Sequence, residues 1–199
     1  MTELTYEGYR IRIEQDETAE DPRKMYPHLG VMACAHRRYE LGDEKAAWES
    51  KEEARKFFHK EGAVWLPLYL FDHSGLRIST SDGMFRAWDS HGWDWGLVGF
   101  IYATRARILE EFSRKHMSQK LAARAREVLE SEVETYDVWL NGNVLAYTVE
   151  DTEGEFVEGV AGYYSLEHCE QDAKLTVDAL VTKQIAKKQQ EENLMEVCR

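Results

Sequence analysis

Residues 64–80 read VWLPLYLFDHSGLRIST, and this stretch says most about the fold. Its two apolar runs, Val64–Asp72 and Leu76–Thr80, have the length and the β-branched and aromatic content of strands. His73, Ser74 and Gly75 separate the runs and are residues that turns favour. The stretch therefore predicts a β-hairpin.

Further elements are predicted on both sides of this hairpin. Strands are expected at Tyr6–Gln15, Val31–His36, Leu97–Ala103, Val144–Val149 and Phe156–Tyr164, the last two as a second hairpin. Helices are expected at Glu44–Lys60 (ended by Gly62), from Thr104 to about Arg114, from Ser118 to about Leu140, and from Ser165 to about Gln190, with an irregular loop at Ser81–Trp95. Because strands and helices do not alternate regularly, the pattern predicts an α+β fold. We expect an antiparallel sheet packed by several helices, with a long C-terminal helix.

Size and composition indicate a packed protein in a reducing compartment. The chain has 199 residues, of which 43% are hydrophobic, and no linker interrupts it, so one globular domain over residues 1–199 is expected, with a frayed tail at 187–199. Its three cysteines are odd in number and far apart, which favours free thiols and a cytoplasmic location. The longest apolar run, residues 64–71, is too short to span a bilayer, and no membrane partner is expected.

Charge is distributed unevenly along the chain. Between Arg126 and Lys174 there is no lysine or arginine, yet there are thirteen acids. The whole chain has 37 acids and 25 bases, so the remainder, with 24 acids and 25 bases, is nearly neutral. A local field of one sign predicts a partner of the opposite sign, here a protein with a basic surface.

The acids of this segment fall into two predicted groups. Glu127, Glu130, Glu134 and Asp137 recur at helical spacing and are expected on one stripe, with carboxylates about 5–6 Å apart, comparable with phosphates along a nucleic-acid strand. Five further acids belong to the second hairpin: Glu150, Asp151, Glu153, Glu155 and Glu158. The opposite helix side is apolar and is expected in the core: Leu129, Val133, Tyr136 and Leu140. The alternative is that the acids form a solvated face that only keeps the protein soluble.

Several short sequence motifs of the central region have an unusual order of residues. They are Leu66–Gly75, Ile78–Ser81, Trp88-Asp89-Ser90, Val98–Tyr102, Glu132–Asp137 and Leu140-Asn141-Gly142. Together they resemble a family of uncharacterised proteins carried by bacteriophages and other mobile elements, over about residues 31–164. The family usually passes from Trp-Asp-Ser to Val-Gly-Phe-Ile through a shorter bridge, whereas His91–Leu97 intervenes here. The resemblance implies a small accessory protein made by a mobile element inside a prokaryotic cell, and it implies no catalytic residues.

The intervening loop contains two candidate binding anchors, Trp93 and Trp95. Both lie in a glycine-flanked segment, and exposed tryptophan in a loop is a frequent anchor at interfaces. The alternative is that they pack in the core with their indole N–H groups bonded.

Two other function classes remain open. A hydrolase would use His73, Asp89 or His91, which are polar residues beside an aromatic loop. Asp72, His73 and Ser74 are not expected to form a catalytic triad, because adjacent residues on a turn cannot point at one another. No metal or cofactor is expected, because the histidines, cysteines and acids lack ligand spacing. A self-associating protein would use the C-terminal helix, whose apolar positions are Ala173, Val177, Leu180, Val181 and Ile185.

The basic residues between Arg105 and Arg126 would scatter around two short helices, so direct nucleic-acid binding is not expected. The leading hypothesis is an anti-defence protein that inhibits a host effector, such as a CRISPR or restriction protein. Its acidic surface would occupy the groove that normally receives nucleic acid, and the tryptophans would anchor it.

Overall fold

The computed structural model describes residues 2–48 and 50–197. In chain order this part of the protein contains β1 (Thr2–Tyr6), β2 (Tyr9–Gln15), α1 (Pro22–Met25), β3 (Val31–Cys34), β4 (Glu44–Lys45), α2 (Lys51–Glu61), β5 (Val64–Asp72), β6 (Leu76–Ser79), α3 (Gly83–Trp88), β7 (Trp95–Ala103), α4 (Arg105–Glu111), α5 (Gln119–Leu140), β8 (Leu145–Glu150), β9 (Phe156–Tyr163) and α6 (Leu166–Val197). Helices and mainly antiparallel sheets, with a long C-terminal helix, confirm the predicted α+β class.

The chain divides into two compact units, whereas the sequence predicted one domain. The terminal unit comprises Met1–Ala19 and Gly142–Arg199, and the central unit comprises Glu20–Asn141. Each unit has its own sheet, with strand order β1-β2-β8-β9 in the terminal unit and β4-β3-β7-β5-β6 in the central unit.

In the terminal unit, α6 covers one face of the antiparallel sheet. Ile11, Ile13 and Val149 are fully or almost fully buried on that face, against Ala173 and Val177 of the helix. Polar contacts follow the same seam, since Tyr147 and Thr176 share a hydrogen bond of 2.8 Å between their hydroxyl oxygens. Tyr9, Ile11 and Ile13 are buried and alternate with more exposed residues along β2, which is the pattern of a strand with one buried face.

In the central unit, two cores lie on opposite faces of the sheet. The larger core joins Leu66, Leu68 and Leu70 of β5 to the apolar side of α5, where Leu129, Val133 and Tyr136 are buried as predicted. The smaller core is aromatic and joins α2 to the sheet through Phe58, Trp65, Phe100 and Tyr102. Proline is tolerated at position 67 because β6 pairs with β5 only from Tyr69 onwards.

Helix boundaries follow the capping chemistry. The side chains of Thr104 and Ser118 accept hydrogen bonds from the N–H groups of Arg107 and Leu121, which confirms both predicted N-caps. Gly62 ends α2 with a left-handed φ of 56°, as predicted.

Some predicted boundaries were wrong. Helix α2 begins at Lys51 instead of Glu44, because Ser50 caps it and residues Glu44–Lys45 pair with β3 as the short strand β4. The predicted strand Tyr6–Gln15 is the second half of a hairpin, whose turn places Glu7 and Gly8 at positive φ. The loop Ser81–Trp95 contains the short helix α3.

The C-terminal helix continues to Val197, beyond the predicted end near Gln190. Of the tail expected to fray, residues 198–199 lie outside the described part of the chain. In the described residues, no helix is both long enough and apolar enough to cross a bilayer.

Candidate functional site

A short segment of the central unit, residues 89–94, links α3 to β7 and carries Trp93, the most exposed of the large hydrophobic side chains in the described chain. Chain direction reverses here because Asp89 ends α3 in an extended conformation, and Gly92 adopts a positive φ of 72° that a side chain would resist. We call residues 89–94 the tryptophan loop.

The carboxylate of Asp89 organises the tryptophan loop from inside. Its Oδ1 accepts hydrogen bonds from the N–H groups of His91 (3.0 Å) and Gly92 (3.1 Å), and its Oδ2 accepts from those of Trp93 (2.5 Å) and Asp94 (2.9 Å). These backbone donors, with Asp94 contributing most, lower the pKa of Asp89 below its ordinary value. The carboxylate is therefore charged at neutral pH and holds the loop in one conformation.

The two predicted tryptophan anchors have different environments. Trp93 is 87% exposed, and among the aromatic rings of the described residues that of His91 contacts it, at 5.9 Å between centroids. Trp95 is half-buried: its indole N–H donates to the carbonyl of Asp89 at 2.9 Å, and the guanidinium of Arg86 lies over its ring. Trp95 thus supports the loop, and its prediction as an exposed anchor is corrected, because the indole has found a partner in its own chain.

Two more exposed apolar side chains precede the loop, Met84 and Trp88, which are 43% and 52% exposed. They are four residues apart on α3 and therefore lie on one side of it. Trp88 packs edge-on against Phe71 at 5.4 Å and lies under the guanidinium of Arg77 at 5.9 Å. We call Met84, Trp88 and Trp93 the aromatic patch. Exposed apolar groups held in fixed positions, next to polar neighbours, are typical of protein-binding sites.

Two of the three predicted hydrolase residues, Asp89 and His73, have partners within the protein, whereas His91 is exposed. The carboxylate of Asp89 accepts hydrogen bonds from four backbone N–H groups of the loop, so its oxygens are already occupied. Asp72 accepts a hydrogen bond from Tyr39 and forms an ion pair with Arg38. His73 is not among these partners, so Asp72 does not orient that ring. His73 instead contacts Asp94, with 2.9 Å between Nδ1 and Oδ2. Within residues 2–48 and 50–197, no three histidines, cysteines or acids come together as metal ligands.

A groove of about 590 Å³ opens over residues 34–45 of the central unit. Its walls carry cations and acids alike: Lys24, Arg37, Arg38 and Lys45, with Asp21, Glu40, Asp43 and Glu44. Cys34 lines it, but burial raises the pKa of this thiol to about 12, so it stays protonated and is a poor nucleophile. The charges on its walls balance, and its cysteine is not activated.

Only some carboxylates of the predicted acidic stripe of α5 are exposed to solvent. Glu127 and Glu134 are exposed, and neither forms an ion pair within the described residues. Glu130 is partly exposed and lies 3.5 Å from Arg126. Asp137 is buried at 9% exposure, and it binds the guanidinium of Arg77.

The prediction of Asp137 as a surface acid is therefore corrected. Its Oδ1 also accepts the N–H of Ile78 at 2.7 Å, so the carboxylate fastens α5 to strand β6. Asp137 follows the buried Tyr136 and lies one helical turn after the buried Val133, so it is at the border of the apolar side of α5. A carboxylate at this border contacts the edge strand β6 instead of water.

A second acid of α5 with little exposure, Glu132, was not assigned a role from the sequence; its side chain is 11% exposed. Its carboxylate accepts hydrogen bonds from the N–H groups of Leu29 and Gly30 and pairs with Arg23 at 2.9 Å. A signal was present, since Glu132 lies between Leu129 and Tyr136 on the apolar side of the helix. An acid at such a position requires a buried partner.

The hairpin acids of the terminal unit also differ from one another. Glu150 is neutralised by Arg10 and Arg12, at 3.3 and 3.2 Å. Asp151 shapes the turn by accepting the N–H groups of Glu153 and Glu155, so it is largely committed to the backbone. Among the hairpin acids, Glu153, Glu155 and Glu158 are exposed and form no ion pair within the described residues.

No protein-family model, curated protein or solved structure matches this chain. The functional conclusion therefore comes from the geometry of the aromatic patch and from the distribution of the exposed acids.

Proposed function

We propose that this protein is a binding protein: an accessory protein of a mobile element that docks on a host protein and inhibits it. The observation that carries the proposal is the tryptophan loop, which holds Trp93 at 87% exposure while four N–H groups bind the carboxylate of Asp89. A large apolar side chain in water has a free-energy cost, and it serves as an anchor once a partner pocket covers it.

The rigidity of the loop matters for affinity. A loop whose backbone is already ordered loses little backbone entropy on binding, so more of the burial energy of the Trp93 indole appears as affinity. Trp88 supports the same reading, because Phe71 and Arg77 hold its ring while half of it stays exposed. The aromatic patch is thus suited to the centre of an interface.

The exposed acids favour a basic partner. Glu127 and Glu134 on the central unit form no ion pair within the described residues, and neither do Glu153, Glu155 and Glu158 on the terminal unit. Their field would speed encounter with a basic surface, such as the nucleic-acid groove of a host-defence effector of the CRISPR or restriction type. Because Asp137 is buried and Glu130 is paired, the acidic stripe of α5 is shorter than the sequence predicted, so the acids support encounter and the aromatic patch supports residence.

Replacing Trp93 by alanine is expected to weaken partner binding about 30-fold, the equivalent of a hot-spot loss of about 2 kcal/mol. The partner is first captured from prokaryotic host lysate with the full chain and identified by mass spectrometry. Its dissociation constant is then measured by calorimetry for the wild type and for Trp93→Ala.

The matched control is Tyr26→Ala, since Tyr26 is also a large exposed side chain of the central unit, at 57%. This control should bind within twofold of the wild type. Equal binding by Trp93→Ala and the wild type would remove the aromatic patch as the docking site.

Reversing Glu127 and Glu134 to lysine is expected to slow association about tenfold at low salt, because the attraction to a basic partner becomes repulsion. The difference should shrink at 0.5 M salt, where the Debye length is roughly 4–5 Å. Stopped-flow association rates at the two salt concentrations provide the measurement.

The control reverses Glu110 and Glu111, two exposed acids of the central unit, and so makes the same change in net charge. If both double variants slow association equally, only the net charge matters and the α5 acids have no specific role. If neither does, the basic-partner proposal is wrong.

The self-association hypothesis loses most of its predicted contact surface. Ala173 and Val177 are fully buried, and Leu180 and Val181 are partly buried against the sheet of their own unit. Only Ile185, at 52% exposure, remains available from that set of apolar positions.

A further inference from the structure

Strand β9 is an edge strand of the terminal unit. It pairs with β8 on one side, and no other strand in the described chain pairs with its outer side. In an antiparallel edge strand, alternate residues direct both N–H and C=O away from the sheet. The outer side of β9 therefore offers a row of backbone donors and acceptors to an added strand.

Proteins often prevent unwanted strand pairing at such an edge by placing lysine or proline there or by keeping the edge strand very short. Strand β9 contains neither residue and has eight residues. Its eight residues read FVEGVAGY, and Phe156 and Val160 are 68% and 41% exposed. Irregular pairing does occur at both ends, where Val157 and Gly162 are the extra residues of β-bulges. Between them, Glu158 to Ala161 pair in unbroken register with Val149 to Ala146.

Strand β9 has exposed side chains on both faces of the sheet that could contact an added strand. Val160 and Glu158 lie opposite Tyr147 and Val149, so they project from the face that α6 covers, at its margin. Phe156 lies on the other face, close to Gly159, where an added Cβ would meet its ring at 3.2 Å. An added strand would thus find apolar contacts on both faces.

Charge decides what kind of strand fits. Glu153, Glu155 and Glu158 are exposed in or beside β9, and no lysine or arginine occurs from residue 127 to residue 173. A second copy of β9 would bring these acids against their own equivalents, which is unfavourable. A segment containing lysine or arginine would be attracted instead.

We propose that the outer edge of β9 binds an extended, basic segment of a partner protein, which adds to the sheet as a fifth strand. Main-chain hydrogen bonds supply affinity in this mode of recognition, and alternate side chains supply specificity. This site belongs to the terminal unit and uses none of the residues of the aromatic patch, so it goes beyond the proposed function.

The test uses the full chain and a fluorescein-labelled octapeptide of alternating lysine and valine, with binding followed by fluorescence anisotropy. Val160→Lys places a protecting cation on β9 and is expected to raise the dissociation constant at least tenfold. Thr5→Lys makes the same charge change on β1, the opposite edge strand, and should change it less than twofold. An octapeptide with alternate backbone nitrogens methylated should lose binding.

Circular dichroism and thermal melting establish that the variants fold like the wild type. Should Val160→Lys melt at a lower temperature, Phe156→Lys replaces it, since that side chain is mostly exposed. Trp93→Ala should bind the octapeptide like the wild type, so this test is independent of the aromatic patch.

Several outcomes would overturn the proposal. They are absence of saturable binding, equal binding of the methylated octapeptide, and equal loss in Thr5→Lys. Light scattering adds one more: a wild-type dimer that Val160→Lys dissociates would make a second copy the occupant.

Discussion

Replacing Arg23 by methionine is expected to lower the free energy of unfolding by about 3–5 kcal/mol, the range for breaking a buried ion pair from one side. The Arg23 side chain is 2% exposed and pairs with Asp43 and Glu132. Its guanidinium also donates to the carbonyl of Gly30 at 2.8 Å. Methionine keeps the apolar stem of arginine but not its guanidinium, and it leaves two carboxylates without their cation. Urea denaturation of the full chain, followed by far-UV circular dichroism, measures the loss.

The Arg23 cluster connects segments that are distant in sequence. Asp43 also accepts the N–H of Met32 at 2.8 Å, and Glu132 accepts that of Leu29, so one guanidinium holds α1, the start of β3 and α5 together. Satisfied networks of this kind stabilise one arrangement, and half-satisfied ones are costly.

Lys24→Met is the matched control, because the neighbouring Lys24 side chain is 81% exposed and should change stability by less than about 0.5 kcal/mol. Adding Glu132→Gln to Arg23→Met should recover part of the loss, since it removes one uncompensated charge. A loss below about 1 kcal/mol in Arg23→Met would contradict the assigned role of the cluster.

Gly99→Ala is expected to lower the free energy of unfolding by about 3 kcal/mol, at the upper end of overpacking effects. A Cβ at Gly99 would lie 2.1 Å from the carbonyl oxygen of Ala33 and 2.8 Å from the Cα of Cys34. Both atoms belong to the backbone of β3, which pairs with β7 at this position. No flexible side chain can yield, so the strands must separate. Thermal and urea unfolding both report the change.

Gly96→Ala, in the same strand, is the control. No atom outside its chain neighbours lies within 4 Å of a Cβ built there, and its φ is not in the left-handed region. Alanine at a compatible position reduces the entropy of the unfolded chain and is expected to change stability by about 0–1 kcal/mol in the stabilising direction. Similar losses in the two variants would mean that strand propensity, and not the close approach of β3, explains the effect.

The candidate site shows where sequence reasoning succeeds and where it stops. Trp93 was predicted as an exposed anchor from a glycine-flanked loop, and the structure places it in solvent. Trp95 has the same local signals, yet its indole is held by Asp89 and Arg86. The difference depends on how the loop folds back on α3, which no local pattern encodes.

The acids of α5 give the same lesson for charge. Spacing placed Glu127, Glu130, Glu134 and Asp137 on one stripe, and they do share a side of the helix. Whether a carboxylate on that stripe meets water or a cation is decided by the strand beside it. Arg77 of β6 takes Asp137, whereas nothing in the described chain pairs with Glu134.

The amino-acid sequence by itself determined the strands at 64–72 and 76–79, the second hairpin, the caps at Thr104 and Ser118, and the apolar side of α5. These features depend on interactions between residues a few positions apart, which periodicity and capping chemistry record directly. The tertiary structure alone decided the division into two units, the pairing of β3 with β7 and the burial of Arg23 with its acids. Those features depend on contacts between segments far apart in the chain, and one residue's local pattern is the same whether or not such a contact forms.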